Sequence, residues 1–338
     1  MIVLGIETSC DDTAAAILDT DQNTVRASIV SSQDQIHQRF GGVVPELASR
    51  QHMEWITRVV AEALNSSGLE LKDIDLIGAT QGPGLIGSLL VGFCYAKSLA
   101  YTLDIPYVGV DHMAGHLLSP FLESVVPLFP YLALIVSGGT TSLFRVAGFH
   151  QFELIGSTRD DAAGEAFDKI ARYLHLGYPG GPIVSIRARS GDPESVGLPR
   201  AWLEEGSSDF SFSGLKTAVL NQCNRLKQKN ELTEKQIDDI CAAFEQAVID
   251  VLLEKTIAAA HAAEISTIAL GGGVSANRSL REQMGERCAE LGFSLHLPAL
   301  RNCTDNAAMI AFAGWHQFLA GDRGTPSDDV FSRSPLGR

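Results

Sequence analysis

Residues 2–18, IVLGIETSCDDTAAAIL, set an apolar run, a short polar turn and a second apolar run in succession. Residues 131–147, YLALIVSGGTTSLFRVA, repeat that grammar. Each pattern predicts a β-hairpin whose turn is crowded with Ser, Thr, Gly and Asp. After the first, IDLIGAT at 74–80 predicts a short strand, QGPG a tight loop and LIGSLLVGFCYAKSLA an apolar helix. After the second, STIAL at 266–270 predicts a strand, GGGVSAN a Gly-rich loop and RSLREQMGERCAEL a helix. Both halves run hairpin, helix, strand, Gly-rich loop, helix. Single α/β units recur by chance, but a shared order points to a duplicated α/β domain.

The second half carries extra material at about residues 157–240. DDAAGEAFDKIARYLHL predicts a helix ended by Gly177 and the YPGGP turn. The stretch 189–214 reads mostly as loop, and a basic segment with Lys216, Arg225, Lys227 and Lys229 follows. A long, partly apolar helix is expected over 234–264. The stretch 321–338, rich in Gly, Ser, Pro and Arg, reads as an exposed terminus or a partner-binding strand. The expected division is an N-terminal lobe at 1–110, with 321–338 packing back on it, and a C-terminal lobe at 111–320.

The length of 338 residues suggests about two domains. Apolar residues at 45% and charged residues at 20% exclude a disordered chain. There are 26 Lys and Arg against 40 Asp and Glu, a net charge of −14, which argues against a stand-alone, phosphate-driven nucleic-acid binder. A local basic face, or a partner that supplies one, stays open. No apolar run reaches the roughly 18 residues that a membrane span needs. The opening MIVLGIETSC lacks a basic start, and Glu7 interrupts its apolar stretch, so no signal peptide is expected. Six scattered cysteines without a C-x-x-C pair read as reduced cytosolic thiols.

Three turns suit phosphate binding by backbone N–H groups: Thr8–Thr13, Ser137–Thr141 and Gly271–Asn277. DHMAGH sets His112 and His116 at i and i+4, on one face of a helix, a spacing that suits chelation. Asp305 in NCTDNAAMI opens an apolar helix and is either the third donor or a plain N-cap. Asp111 is a candidate to orient a histidine. Glu165 and Asp168 in GEAFDK share a helix face that either meets ribose hydroxyls or is simply solvated. Asp11 and Asp12 either approach a ligand or stabilise their own turn. A peptidase is disfavoured, because Met113 stands where H-E-x-x-H needs its Glu and no G-x-S-x-G elbow occurs.

GIETSCDDT, PELASRQH, TQGPGLIGSLLVG, DHMAGH, IVSGGTTSL, GEAFDK, YPGGP, FSFSGLKTAV, GGGVSANRSLR and CTDNAAMIA together resemble the universal tRNA threonylcarbamoyladenosine transferases, in bacteria the TsaD family. The resemblance runs from about residue 2 to residue 316. It implies the actin-like, Hsp70-like, sugar-kinase-like (ASKHA) duplicated fold, two lobes around a nucleotide cleft. It implies transfer of threonylcarbamoyl from threonylcarbamoyl-AMP to N6 of the adenosine 3′ of the anticodon, position 37, in tRNAs reading ANN codons. It implies one metal ion, Fe2+ with Zn2+ as the alternative, on His112, His116 and Asp305. Ile135, Val136, Ser137, Gly138 and Gly139 would contact the adenylate, Asp168 and Gly181 the ribose, and Asn277 the nucleoside. The family's bacterial members work with an inactive paralogue (TsaB), here expected as a heterodimer partner through the N-terminal lobe, and a small ATPase (TsaE). A cytoplasmic protein without a membrane partner is expected. Asp11 and Asp12 are the candidates to take the amine proton.

The basic residues Arg187, Arg189, Lys216, Arg225, Lys227 and Lys229 are candidates for a tRNA-facing patch. Two other readings of the fold are weaker. An ATP-dependent small-molecule kinase has no use for a His pair with a remote Asp. An Hsp70-like chaperone would need a peptide-binding domain for which the length leaves no room.

Overall fold

Strand β1 (Ile2–Glu7) is buried at five of its six positions, as a mostly apolar strand flanked on both edges must be. It pairs antiparallel with β2 (Asp12–Asp19), and β3 (Thr24–Ser32) pairs antiparallel with β2. β4 (Leu76–Gly82) runs parallel to β1 in the register Leu4↔Ile77, and β5 (Tyr107–Asp111) runs parallel to β4. The second sheet is built from β6 (Tyr131–Val136), β7 (Thr141–Gly148), β8 (Gln151–Ser157), β9 (Thr267–Gly271) and β10 (Ser294–His296). The strand orders are β3-β2-β1-β4-β5 and β10-β9-β6-β7-β8, the same topology twice. This is the duplicated α/β fold that the repeated sequence grammar predicts, of the ASKHA type that the resemblance implies. The computed structural model describes residues 1–229 and 232–336.

The helices are α1 (Asp34–His37), α2 (Pro45–Ser67), α3 (Ile86–Leu103), α4 (His112–Leu118), α5 (Ala163–Tyr173), α6 (Gly180–Ala188), α7 (Ser213–Gln228), α8 (Glu234–Ala262), α9 (Arg278–Leu291) and α10 (Ala307–Leu319). Local chemistry sets several ends. A capping box between Thr233 and Gln236 starts α8, and Gly68 in the left-handed region at φ +71° stops α2. YPGGP is more than the turn it reads as, because Gly180 opens α6. The basic segment lies along α7, from Lys216 in its first turn to Arg225 and Lys227 in its last, with Lys229 at the C-cap. Contrary to the expectation of no run long enough, α3 passes the length and composition test for a membrane span. In this fold its buried side chains Phe93, Ala96 and Ala100 pack into the core of the first unit.

The chain divides into one unit of Met1–Val126, Ala147–Phe152 and Pro298–Arg338, and another of Pro127–Val146 and Glu153–Leu297. These bounds differ from a cut at 110/111. β5 leads straight into α4, and α10 lies directly on the first sheet. Small residues permit that approach: a Cβ on Gly5 would sit 2.1 Å from the Ala307 carbonyl oxygen, and one on Gly78 would sit 3.0 Å from that of Ile310. The second unit is organised around α8, whose apolar side chains from Ile240 to Ile257 fill a core shared with β6 and α5.

Gly5→Ala forces α10 off the sheet and is expected to cost about 2–3 kcal/mol. Gly285→Ala, inside α9 with nothing nearer than Leu295 at 4.0 Å, is expected to gain about 0.5–1 kcal/mol. Urea unfolding midpoints of the two variants check both signs.

Candidate functional site

The first unit brings two imidazoles and a carboxylate together. β5 ends at Asp111, whose side chain accepts a hydrogen bond from the Met113 amide at 2.8 Å and so starts α4. His112 and His116 follow one turn apart, with ring centroids 4.7 Å apart. Asp305 does not cap α10; Asn306 does, accepting from the Met309 amide at 3.0 Å. The Asp305 carboxylate is thereby left to face α4, with Oδ1 3.1 Å from His116 Nε2 and 3.3 Å from His112 Nε2. The candidate ligand atoms of all three residues lie within 4.8 Å of one another.

Glu7 completes the cluster. It is fully buried, and its Oε2 lies 2.8 Å from His112 Nδ1 and accepts from Thr80 Oγ1 at 2.6 Å. Its Oε1 accepts from the Ser9 amide. A carboxylate only accepts, so His112 Nδ1 carries a proton and Nε2 is aimed at Asp305. Asp111, the acid expected beside the histidines, serves as a cap instead, and Glu7 takes the orienting role. Burial pushes Glu7 and Asp305 up, but the adjoining His112 outweighs it and holds both below the usual carboxylate range. Burial likewise lowers His112, yet Asp305 and Glu7 hold it well above an ordinary imidazole. His116 Nδ1 is buried with no hydrogen-bond partner among the described residues, while Nε2 faces the Asp305 carboxylate.

The turn between β1 and β2 is anchored from both sides. The Leu85 amide donates to the Ser9 carbonyl at 2.8 Å, and Gly84 is required there because a Cβ would lie 2.4 Å from that oxygen. From α2, His52 Nε2 lies 3.0 Å from the Cys10 carbonyl oxygen, so Nε2 carries the proton. Its Nδ1 then accepts from Thr13 Oγ1 at 2.8 Å. Burial pushes His52 down, in keeping with a neutral ring. Asp11 and Asp12 project from this turn. Burial raises Asp11, and burial with the charges of Asp305 and Asp11 raises Asp12 to about 8.

The second unit gathers the remaining candidates around the β6–β7 turn. The Ser137 amide donates to the Thr140 carbonyl at 2.7 Å, and Ser137 Oγ accepts from the Thr140 amide at 3.1 Å. Those bonds leave the Gly138 and Gly139 amides out of the turn. Both glycines are exposed, and a Cβ on either, or on Gly181, would meet nothing within 4 Å. Their smallness therefore serves an approach from outside rather than packing within the chain. α5 docks on this turn through the Gly164 amide, which donates to the Ser137 carbonyl at 3.2 Å. Asp168 on α5 accepts from the Gly180 amide at 2.7 Å, pinning the first turn of α6. Gly272, at φ +82°, crosses the end of β6, where a Cβ would lie 2.5 Å from the Val136 carbonyl oxygen.

Two expectations change here. The Ile135 and Val136 side chains are buried within β6, so they set the turn's position rather than present themselves to a ligand. The Asn277 side chain caps α9 through the Leu280 amide at 2.9 Å and donates to Ser185 Oγ at 2.9 Å and Glu245 Oε1 at 2.7 Å. The basic residues form no single free patch. Arg187 is paired with Glu234 and Asp238, Lys216 with Asp161, and Lys227 lies 4.7 Å from the centre of the Tyr173 ring. Arg189, Arg225 and Lys229 are exposed.

A sheet of this topology used twice defines the actin, Hsp70 and sugar-kinase fold class, here with two imidazoles and a carboxylate converging in the first unit. The family model for tRNA N6-adenosine threonylcarbamoyltransferase, TsaD, matches residues 24–312. The protein of that name from Desulfotalea psychrophila is 56% identical over 338 residues, covering 100% of this chain and 98% of its own. That from Desulforapulum autotrophicum is 51% identical over 336 residues, covering 99% of each. Full-length HypF in a phosphate- and nucleotide-bound form superposes with a TM-score of 0.60 at 14% identity, over 95% of this chain and 56% of that one. HypF of T. kodakarensis gives 0.61 at 15% identity, over 95% and 48%. This chain spans about half of those two structures, and the likeness bears on fold alone. The chain belongs to the TsaD family of tRNA N6-adenosine threonylcarbamoyltransferases and is a tRNA-modifying transferase.

The raised Asp12 carries a stability signature in metal-free protein. Its folded value, about 8, lies above the 3.8 of a free Asp, so the stability from its bound proton is full below pH 4 and lost as pH rises through 8. Asp12→Asn cannot ionise. It is expected to be more stable than the parent at pH 8 by more than about 1 kcal/mol, with the gap closing toward pH 5. Urea unfolding of chelator-treated proteins at several pH values checks this.

Proposed function

We propose that the chain moves the threonylcarbamoyl group of threonylcarbamoyl-AMP to N6 of adenosine 37, beside the anticodon, in tRNAs that read ANN codons. One divalent ion, Fe2+ with Zn2+ as the alternative, is assigned to His112, His116 and Asp305. The observation that carries this reading is the convergence of those three side chains, in a chain of this family, from positions almost 200 residues apart by the 189-residue separation of His116 and Asp305. Two imidazole nitrogens and one carboxylate form a donor set suited to non-haem Fe(II) or Zn(II), and Glu7 supplies the orienting carboxylate such a histidine requires. When bound, the ion supplies Lewis acidity toward a carbonyl or phosphoryl oxygen.

The chain's own residues do the rest. The donor is an activated mixed anhydride and the acceptor amine is a weak nucleophile, so the task is positioning and charge stabilisation. Gly138 and Gly139 offer amides to the adenylate phosphate from an exposed turn. Asp168 and Gly181 border the ribose, and Asn277 holds the loop on which the nucleoside rests. The amine nitrogen forms the new bond to the carbamoyl carbon, the bond from that carbon to the phosphate oxygen breaks, and AMP leaves. The amine proton passes to Asp12 or Asp11 in its ionised form.

Partners follow from charge and surface. A net charge of −14 leaves tRNA binding to local cations and to other proteins, here the small ATPase TsaE and the inactive paralogue TsaB. Exposed Met53 on α2 (70%) and Ile86, Leu90 and Tyr101 on α3 support a heterodimer through the first unit. A cytoplasmic setting suits a tRNA substrate and six free cysteines.

Unmodified tRNA incubated with the chain, both partners and threonylcarbamoyl-AMP is expected to yield threonylcarbamoyladenosine by nucleoside mass spectrometry. His112→Ala with His116→Ala is expected to lower the rate at least about 100-fold. Product at the parental rate from the double variant refutes the ligand assignment, and no product from the parent refutes the reaction. Glu7→Gln is expected to weaken binding of the divalent ion about 10–100-fold, read by native mass spectrometry across an Fe2+ or Zn2+ titration.

A further inference from the structure

We propose that residues 324–336 are a strap that positions the histidine-bearing helix and the Ser9 turn for the reaction, with Ser334 as its terminal positioning residue. This rests on α4 being the ligand helix. The composition of the stretch suggests an exposed terminus or a partner-binding strand, expected to pack back on the first lobe; in the structure its polar groups are tied to the first unit. The Gly324 amide donates to the Tyr107 carbonyl at 2.8 Å, and Tyr107 Oη donates to the Thr325 carbonyl. Lys97 Nζ donates to the carbonyls of Pro326 at 2.9 Å and Asp328 at 2.8 Å.

From these anchors the strap reaches the site by two routes. It brackets Gln81, whose Nε2 donates to the Asp329 carbonyl at 2.7 Å and whose carbonyl accepts from the Phe331 amide at 3.0 Å. Phe331 then lies so close to Gly82 that a Cβ there would sit 2.2 Å from the Phe331 carbonyl oxygen and 2.3 Å from its ring. Gly82 opens the loop whose Leu85 amide holds the Ser9 carbonyl, and Ser9 Oγ lies 3.3 Å from His112 Nδ1. By the second route, Ser334 Oγ donates to Asp111 Oδ2 at 2.6 Å, while Asp111 Oδ1 caps α4 through the Met113 amide. Asp111 is 6% exposed, so both oxygens of a buried cap are committed, one to the helix and one to the strap. A helix of seven residues has little stability of its own, and its orientation depends on such end contacts.

The test compares the parent, a chain stopped after Asp329, Ser334→Ala and Ser334→Thr. Hydrogen exchange of each is read without substrate, and transfer kinetics are read with partners, tRNA and threonylcarbamoyl-AMP. Exchange in peptides covering 7–13 and 111–118 is expected to quicken about tenfold in the stopped chain and about threefold in Ser334→Ala, with α5 to α9 unchanged. The kcat is expected to fall by similar factors while KM for tRNA stays within about twofold, and Ser334→Thr restores both. Unchanged exchange in those peptides overturns the proposal. So does quickened exchange with kcat intact, or a loss that threonine does not rescue. Should the stopped chain fail to fold, Ser334→Ala against Ser334→Thr decides alone. Absence of transfer in the parent counts against the reaction assigned above, while the exchange comparison still judges the strap.

Discussion

A carboxylate with no solvent exposure sits at the end of a central strand, and most of the first unit's geometry follows from keeping it satisfied. Burying Glu7 without partners would be prohibitive, so its oxygens collect donors from several elements. The Ser9 amide fixes the start of the β1–β2 turn, Thr80 ties in the end of β4, and His112 brings α4. The charge is compensated only if His112 carries the proton on Nδ1, and that leaves Nε2 directed at Asp305. The desolvation problem of one side chain thus sets the tautomer and direction of another. Removing either partner would leave the other buried and unmatched, a costlier outcome than never having the pair.

The duplicated sheet is used in two chemically opposite ways. In the first copy the turn after the leading strand carries Asp11 and Asp12, beside Glu7 and Asp305, and attracts positive charge. In the second copy the matching turn is Ser137–Thr140, free of acids, with two exposed glycines that leave open space beside their backbone. That surface suits an anion. The same local geometry, a tight turn between two antiparallel strands, is thus differentiated by side chains alone. Gly272 and Gly84 play parallel parts, each letting a loop pass against the backbone that leads into its turn.

What was legible in the sequence is what short-range pattern encodes. The hairpins, the loop-to-helix units and the i, i+4 histidines each lie within one element, and their repetition in order exposed the duplication. Asp305 was legible as a remote acid, but its freedom was not, because only the structure shows that Asn306 does the capping. Glu7 was read as an interruption of an apolar run; its partner stands 105 residues away, and no periodicity links them. A glutamate inside an otherwise buried strand was nonetheless a signal, since such a residue demands a partner. Asn277 was recognised by its motif, while its ties to Ser185 and Glu245 depend on helices packing from distant segments. For the stretch after Gly321, composition and the expected packing on the N-terminal lobe named no attachment points. Its contacts are made largely by backbone carbonyls, which carry no trace in the sequence.

The acidity of the chain also has a local meaning. Burial, reinforced by the charges of Asp305 and Asp11, raises Asp12 to about 8 in the metal-free protein, so its carboxyl keeps its proton near neutral pH. Such a cluster stores electrostatic work that a divalent cation on Asp305 would release. Cancelling that one charge would lower the neighbouring carboxyls, so that they ionise more readily while becoming weaker bases. On the proposed assignment of an ion to His112, His116 and Asp305, ion binding and protonation of Asp12 would oppose each other. Filling the donor set would thus favour the ionised turn, the form able to take up a proton.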